Sequence, residues 1–145
     1  MKIKWGVLGS GGIARRRTIP EGIAKAANTE LGAVYDLNQA VNDEVARAFG
    51  VKACRSEPEL LESDCTVIYI ATPAHLHCEQ VIRAAESGTH VFCEKPLGMT
   101  VEEGEHMLAV CRERKVKIGV GFMMRFHAQH MEALRLVREG RLGKL

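Results

Sequence analysis

Three places along the chain carry groups that could bind or transform a ligand. The first is the run Gly9-Ser10-Gly11-Gly12-Ile13-Ala14, which fits G-x-G-x-x-A. In such a run Gly9 allows a tight turn out of a strand, and Gly11 lets a pyrophosphate approach bare backbone. Ala14 is small enough for helix and strand to pack closely. A helix that opens there offers free N–H groups and a partial positive charge to phosphates. The second is Asp36, at the end of the apolar run Leu31 to Tyr35. An acidic residue at that point in a strand–helix–strand unit accepts hydrogen bonds from ribose hydroxyls. Its charge also repels a 2′-phosphate, so the pair predicts NAD in preference to NADP. An arginine of Arg15-Arg16-Arg17 reaching the 2′ position would weaken that preference, whereas a solvated helix face is their ordinary use. Taken singly, the glycines could be a plain turn and Asp36 a helix cap. A methyltransferase domain, with a similar turn and acid, is a remaining alternative.

The third place is Glu94-Lys95-Pro96, directly after the apolar run Thr89 to Cys93. Read alone, Lys95 is a surface lysine beside a structural proline. Six histidines raise the question of a metal. His75 and His77 are two apart and point in different directions from a helix start. His127 and His130 could share a helical face, but no third ligand is apparent, so no metal site is expected. His90 and His106 have no special context, and His77 reads as lining a loop near the cofactor.

These residues need a frame. Short apolar runs alternate with amphipathic stretches from end to end. Strands are expected over Ile3 to Leu8, Leu31 to Tyr35, Val51 to Cys54, Thr66 to Ala71, Thr89 to Cys93 and Lys117 to Gly121. The fourth is apolar on both faces, as a central parallel strand should be. Helical stripes run through Val41, Val45, Ala48 and Phe49; through Cys78, Val81, Ile82 and Ala85; through Val101, Met107, Leu108 and Cys111; and through Met131, Leu134 and Val137. Ser56 with Glu59 and Thr100 with Glu103 fit capping boxes, Asn38 can cap, and Gly50 and Gly88 sit where helices should stop. The first helix should start near Gly12 and be broken or restarted by Pro20. The pattern predicts an α/β Rossmann fold: a doubly wound parallel sheet of about six strands, helices on both faces, and a ligand crevice at the strands' carboxyl ends. Trp5, in the strand leading into the glycine turn, should report binding.

Composition narrows the partners. The chain has 145 residues, 46% of them hydrophobic, and a formal net charge of +2. That suffices for one cored domain and gives no case for nucleic acid or an anionic membrane as partner. No apolar run approaches a membrane span, and no secretory signal is apparent. The five cysteines, Cys54, Cys65, Cys78, Cys93 and Cys111, form no C-x-x-C pair. They read as reduced core thiols of a cytoplasmic protein.

The segments Ala71-Thr72-Pro73-Ala74-His75-Leu76-His77, Val91-Phe92-Cys93-Glu94-Lys95-Pro96 and Gly121-Phe122-Met123-Met124-Arg125-Phe126-His127 resemble the glucose–fructose oxidoreductase/inositol dehydrogenase (Gfo/Idh/MocA) family. The resemblance covers the whole chain. It departs at Ala74, where the family often has Asn, and at Ala128, where it often has Pro. The resemblance implies that Lys95 lies near the nicotinamide and the substrate hydroxyl, as the catalytic residue that polarises the reacting oxygen. Removal from water beside a cationic ring would suit a lysine to proton transfer. It implies that Thr72 and Pro73 line the nicotinamide side of the crevice, and that Glu94 orients Lys95 or the backbone. The expected cofactor set is therefore Gly9, Gly11, Gly12, Ile13, Ala14, Asp36, Thr72, Pro73, His77, Glu94 and Lys95. The reaction implied is hydride transfer to or from a sugar or polyol carbon. The family also implies a second, substrate-binding domain that these residues lack, leaving 1–145 as one NAD(P)-binding domain. Apolar surface that such a domain would cover should drive self-association, including homo-oligomers. A non-catalytic dinucleotide-binding module is the alternative from another class.

Overall fold

Each of the six apolar runs forms a strand, and their side-chain alternation decides what packs on each face. The computed structural model describes residues 2–144. The strands are β1 (Ile3–Leu8), β2 (Thr29–Tyr35), β3 (Lys52–Ala53), β4 (Val67–Ile70), β5 (His90–Cys93) and β6 (Ile118–Val120). All pair in parallel, in the order β3-β2-β1-β4-β5-β6. Because successive strand residues point to opposite faces, Leu8, Ile68, Ile70, Val91 and Cys93 join one core cluster while Val7, Val34 and Tyr69 join the other.

The first cluster is covered by helices α2 (Glu57–Leu61), α3 (His77–Glu86) and α4 (Val101–Glu113), through Leu60, Val81, Ala84 and Met107. The second is covered by α1 (Gln39–Phe49) and by a wide-turned helix, Ala14–Ile23, through Ala14, Ile19, Ile23 and Val45. The start and stop signals act as expected. Asn38 accepts the Val41 N–H at 3.2 Å, and Gly50 ends α1 with φ 66°. Ser56 accepts from Glu59 N–H at 3.3 Å and Thr100 from Glu103 N–H at 3.2 Å. In both boxes the returning carboxylate reaches one residue further back than the usual pattern, to the N–H of Arg55 at 2.6 Å and of Met99 at 2.7 Å.

Three expectations fail. Pro20 does not break the first helix. Ala14–Ile23 winds as a π-helix straight through it, and Ala24 N–H bonds Ile19 C=O at 2.9 Å, five residues back. The wider turn relieves the clash that a proline ring makes in an α-helix, and buried Ala14, Ile19 and Ile23 hold the segment on the sheet. In α1, Ala48 is exposed, and Ala46 and Asn42 point inward instead. Finally, two apolar stripes are not wholly core: Val101 of α4 is 72% exposed, and along α5 (Ala128–Arg138) Met131 is 51% exposed, Leu134 41% and Val137 40%. That helix lies beyond the edge strand β6, and its main contacts are with the Met123–Phe126 turn before it. Among the described residues, no helix is long and apolar enough to cross a membrane.

Candidate functional site

Strand order reverses between β1 and β4, whose outer neighbours β2 and β5 lie on opposite sides. A crevice opens outside the carboxyl ends of strands at such a point. The glycine run leaves β1 there. Gly9 has φ +86°, and a Cβ on it would sit 2.9 Å from both the carbonyl carbon and oxygen of Ala71, which follows β4. The Gly9 and Ser10 N–H groups both donate to the Tyr35 carbonyl, at 2.8 and 3.2 Å, so the turn is bonded to the end of β2.

Asp36 follows that carbonyl. Its Oδ2 accepts the Gly11 N–H at 2.9 Å and its Oδ1 the Asn38 N–H at 2.9 Å. The carboxylate is thus fixed on the turn. A Cβ on Gly11 would meet Asp36 Oδ2 at 3.2 Å, so the bare position at Gly11 makes room for Asp36. The open approach expected there belongs to Gly12, where φ is +33° and a Cβ would find nothing within 4 Å. Ala14 is fully buried against the sheet, as close packing requires.

The expected residues divide among neighbouring cavities. One of about 720 Å³ is lined by Gly9, Gly12, Asp36, Thr72 and Pro73, and by Gln80 and Arg83, which the sequence did not single out. A second, of about 430 Å³, is lined by Ile13, Thr18, Glu94 and Phe122. Lys95 is exposed and lines a third, of about 440 Å³, with Phe122 and Arg125. Volumes of this order suit small-molecule sites.

Glu94 is held from two sides. Tyr69 donates its hydroxyl proton to Glu94 Oε1 at 2.6 Å, and Lys95 N–H donates to Oε2 at 3.2 Å. Tyr69 has one proton, so the Thr18 hydroxyl, 3.0 Å away, donates to the phenol oxygen. Burial, and then the bond to Glu94, push the Tyr69 phenol pKa well up, so the phenol stays a neutral donor. This Thr18–Tyr69–Glu94–Lys95 chain fits the orienting role expected of Glu94.

His77 lies elsewhere than expected. It is buried, with Nε2 2.9 Å from the Thr72 carbonyl and Nδ1 2.9 Å from the Pro96 carbonyl. It ties the loop after β4 to the loop after β5 rather than facing the crevice, because the first turn of α3 turns it inward while His75 stays exposed. Two further residues were missed. Asn42, fully buried, accepts from Ser10 at 3.2 Å and donates to the Cys54 carbonyl at 2.8 Å. Gln80 accepts the Thr72 hydroxyl. Asn42 stands one residue after Val41 in an amphipathic helix, and its polarity in a core-facing position was the available signal. Trp5 packs edge-on to Phe92 at 6.1 Å. It is four residues upstream of Gly9, roughly 13 Å by strand rise, and lines none of these three cavities. Among the described residues, no group of three or more His, Cys, Asp or Glu could hold a metal ion. The cysteines are unpaired, and burial pushes the Cys93 thiol up to about 12.

With this geometry in place, comparison with known proteins is specific. A family model described as an oxidoreductase family with an NAD-binding Rossmann fold matches residues 3–133. The chain belongs to the Gfo/Idh/MocA oxidoreductase family. A 1,5-anhydro-D-fructose reductase from Ensifer adhaerens is 33% identical, over 97% of this chain and 42% of its own length. A 3-ketoreductase from Actinomadura kijaniata, solved in complex with NADP, superposes with TM-score 0.93 at 33% identity, covering 99% of this chain and 46% of that one. A scyllo-inositol dehydrogenase from Lactobacillus casei, solved with NAD(H) and scyllo-inositol, gives TM-score 0.90 at 29% identity, over 99% and 43%. This chain therefore spans under half the length of these Gfo/Idh/MocA relatives.

Proposed function

We propose that this chain is the cofactor-binding domain of an NAD(P)-dependent oxidoreductase acting on a sugar or polyol. The observation that carries the reading is the glycine turn clamped to Asp36, facing a cavity beside the exposed Gly12. The residues fit a dinucleotide. Asp36 would accept from the ribose hydroxyls. The N–H groups that open the helix, free as in any helix start, would meet the pyrophosphate at Gly12 and Ile13. Thr72, Pro73 and Glu94 would flank the nicotinamide half. When bound, the nicotinamide supplies the redox step, taking or giving the hydride. The protein's own part is placement. Glu94, steadied by Tyr69, fixes the Lys95 backbone, and the Lys95 ammonium would hold the substrate oxygen and exchange its proton.

Lys95 stands in water in this chain, which favours turnover only where further structure encloses it. We therefore read residues 1–145 as a single cofactor domain, which by itself binds without turnover. The exposed Met131, Leu134 and Phe126 surface favours self-association of that domain. The unpaired thiols, four of them buried, favour a cytoplasmic location. Titration with NADH and then NADPH, followed by energy transfer from Trp5, tests the reading. Saturable binding of either supports it. Binding of S-adenosylmethionine instead would sink it in favour of a methyltransferase domain.

A further inference from the structure

A cavity of about 620 Å³ opens on the outer side of Asp36, lined by Gly11, Gly12, Arg15, Arg16, Asp36 and Asn38. If the ribose meets Asp36, its 2′ position faces this space. Two arginines and one carboxylate line it, a balance that would admit a 2′-phosphate. The two arginines are held differently, however: Arg15 is drawn off to another helix, while Arg16 stays at the cavity's own edge. Arg16 turns back along its own helix and donates from Nε to the Gly12 carbonyl at 3.1 Å. Arg15 reaches across to α1 and pairs with Glu44. Arg17 is bound to Glu21 at 2.7 Å and does not line the cavity. Asp36 itself cannot swing away, because both of its oxygens are held by backbone N–H groups.

We propose that Glu44 sets the cofactor preference, by holding the Arg15 guanidinium on α1 and away from the 2′ position. The inference rests on the dinucleotide reading above. With Glu44 in place, an incoming 2′-phosphate meets the fixed Asp36 carboxylate and must compete with Glu44 for Arg15, so NAD(H) is bound more tightly. Without Glu44, Arg15 is free to form charge-assisted hydrogen bonds to that phosphate. Glu44 lies on the exposed face of α1, with its side chain 55% accessible, so its replacement leaves the core untouched.

The test is titration of wild type, Glu44→Gln, Arg15→Ala and the double variant with NADH and NADPH at one fixed salt concentration. Wild type should prefer NADH. Glu44→Gln should tighten NADPH by about fivefold, the scale of one partly exposed ion pair, and change NADH less than about twofold. The gain should vanish in the double variant, which assigns it to Arg15. An unchanged NADPH affinity in Glu44→Gln, a gain that persists without Arg15, or a wild type that prefers NADPH would each overturn the proposal. Failure of wild type to bind either nucleotide would overturn the dinucleotide reading, and this proposal with it.

Discussion

Two glycines of the same turn, Gly9 and Gly12, should fail in different ways when replaced by alanine. At Gly9 a Cβ would lie 2.9 Å from the backbone of Ala71 and 3.0 Å from Thr72 Cγ2, at φ +86°. Neither backbone can retreat cheaply: Gly9 N–H is bonded to Tyr35 at 2.8 Å and Ala71 N–H to Leu8 at 2.8 Å. The left-handed conformation costs an alanine about 1–2 kcal/mol, and the overlap about 1–3 kcal/mol more. At roughly 2–4 °C per kcal/mol for a domain of this size, Gly9→Ala should lower Tm by about 10 °C. Gly12 also has positive φ, +33°, but a Cβ there would find nothing within 4 Å. Gly12→Ala should cost only about 1 kcal/mol and a few degrees. Its methyl group, however, would project where phosphates are proposed to approach, so NADH binding should weaken at least about tenfold. Differential scanning calorimetry and fluorescence titration of both variants decide the matter. A Gly9→Ala protein as stable as wild type, or a Gly12→Ala protein binding NADH normally, would refute the division of roles.

Three further outcomes follow from the same geometry. Asn42→Ala strands the buried Cys54 carbonyl and the Ser10 hydroxyl, so chemical denaturation should show a loss of about 2–4 kcal/mol; a loss under about 0.5 kcal/mol would mean that water replaces the amide. Burial raises the Cys93 thiol from 9.0 to about 12, so the unfolded chain ionises first. This thiol's contribution to stability should then be complete below pH 9 and be lost as pH rises towards 12, and Cys93→Ala should flatten that alkaline limb in pH-dependent unfolding. The exposed stripe of α5 should make the chain associate with rising concentration, and Met131→Lys with Leu134→Glu should shift sedimentation towards monomer; unchanged association would place the contact elsewhere.

Much of this protein can be read from local order. The strand β1, its glycine turn and Asp36 follow from short-range rules, since tight turns, helix starts and strand ends depend on neighbours within a few residues. The helix caps at Asn38, Ser56 and Thr100 are legible for the same reason. The parallel pairing also follows, because strands that alternate with helices are joined by crossover connections. Tertiary structure decided what depends on partners distant in sequence. A proline signals a helix break, but the sheet beneath Ile19 and Ile23 holds the chain in a wider turn through Pro20. Periodicity identifies an apolar face on α5 without saying whether anything covers it. Polar residues at core positions look like errors until their partners are known: Asn42 finds Ser10 and Cys54, Tyr69 finds Thr18 and Glu94, and His77 finds two carbonyls on separate loops. Hydrogen bonds and ion pairs join whatever the fold brings within about 3 Å, so sequence separation carries no trace of them, and only the folded chain shows that Arg15 belongs to Glu44.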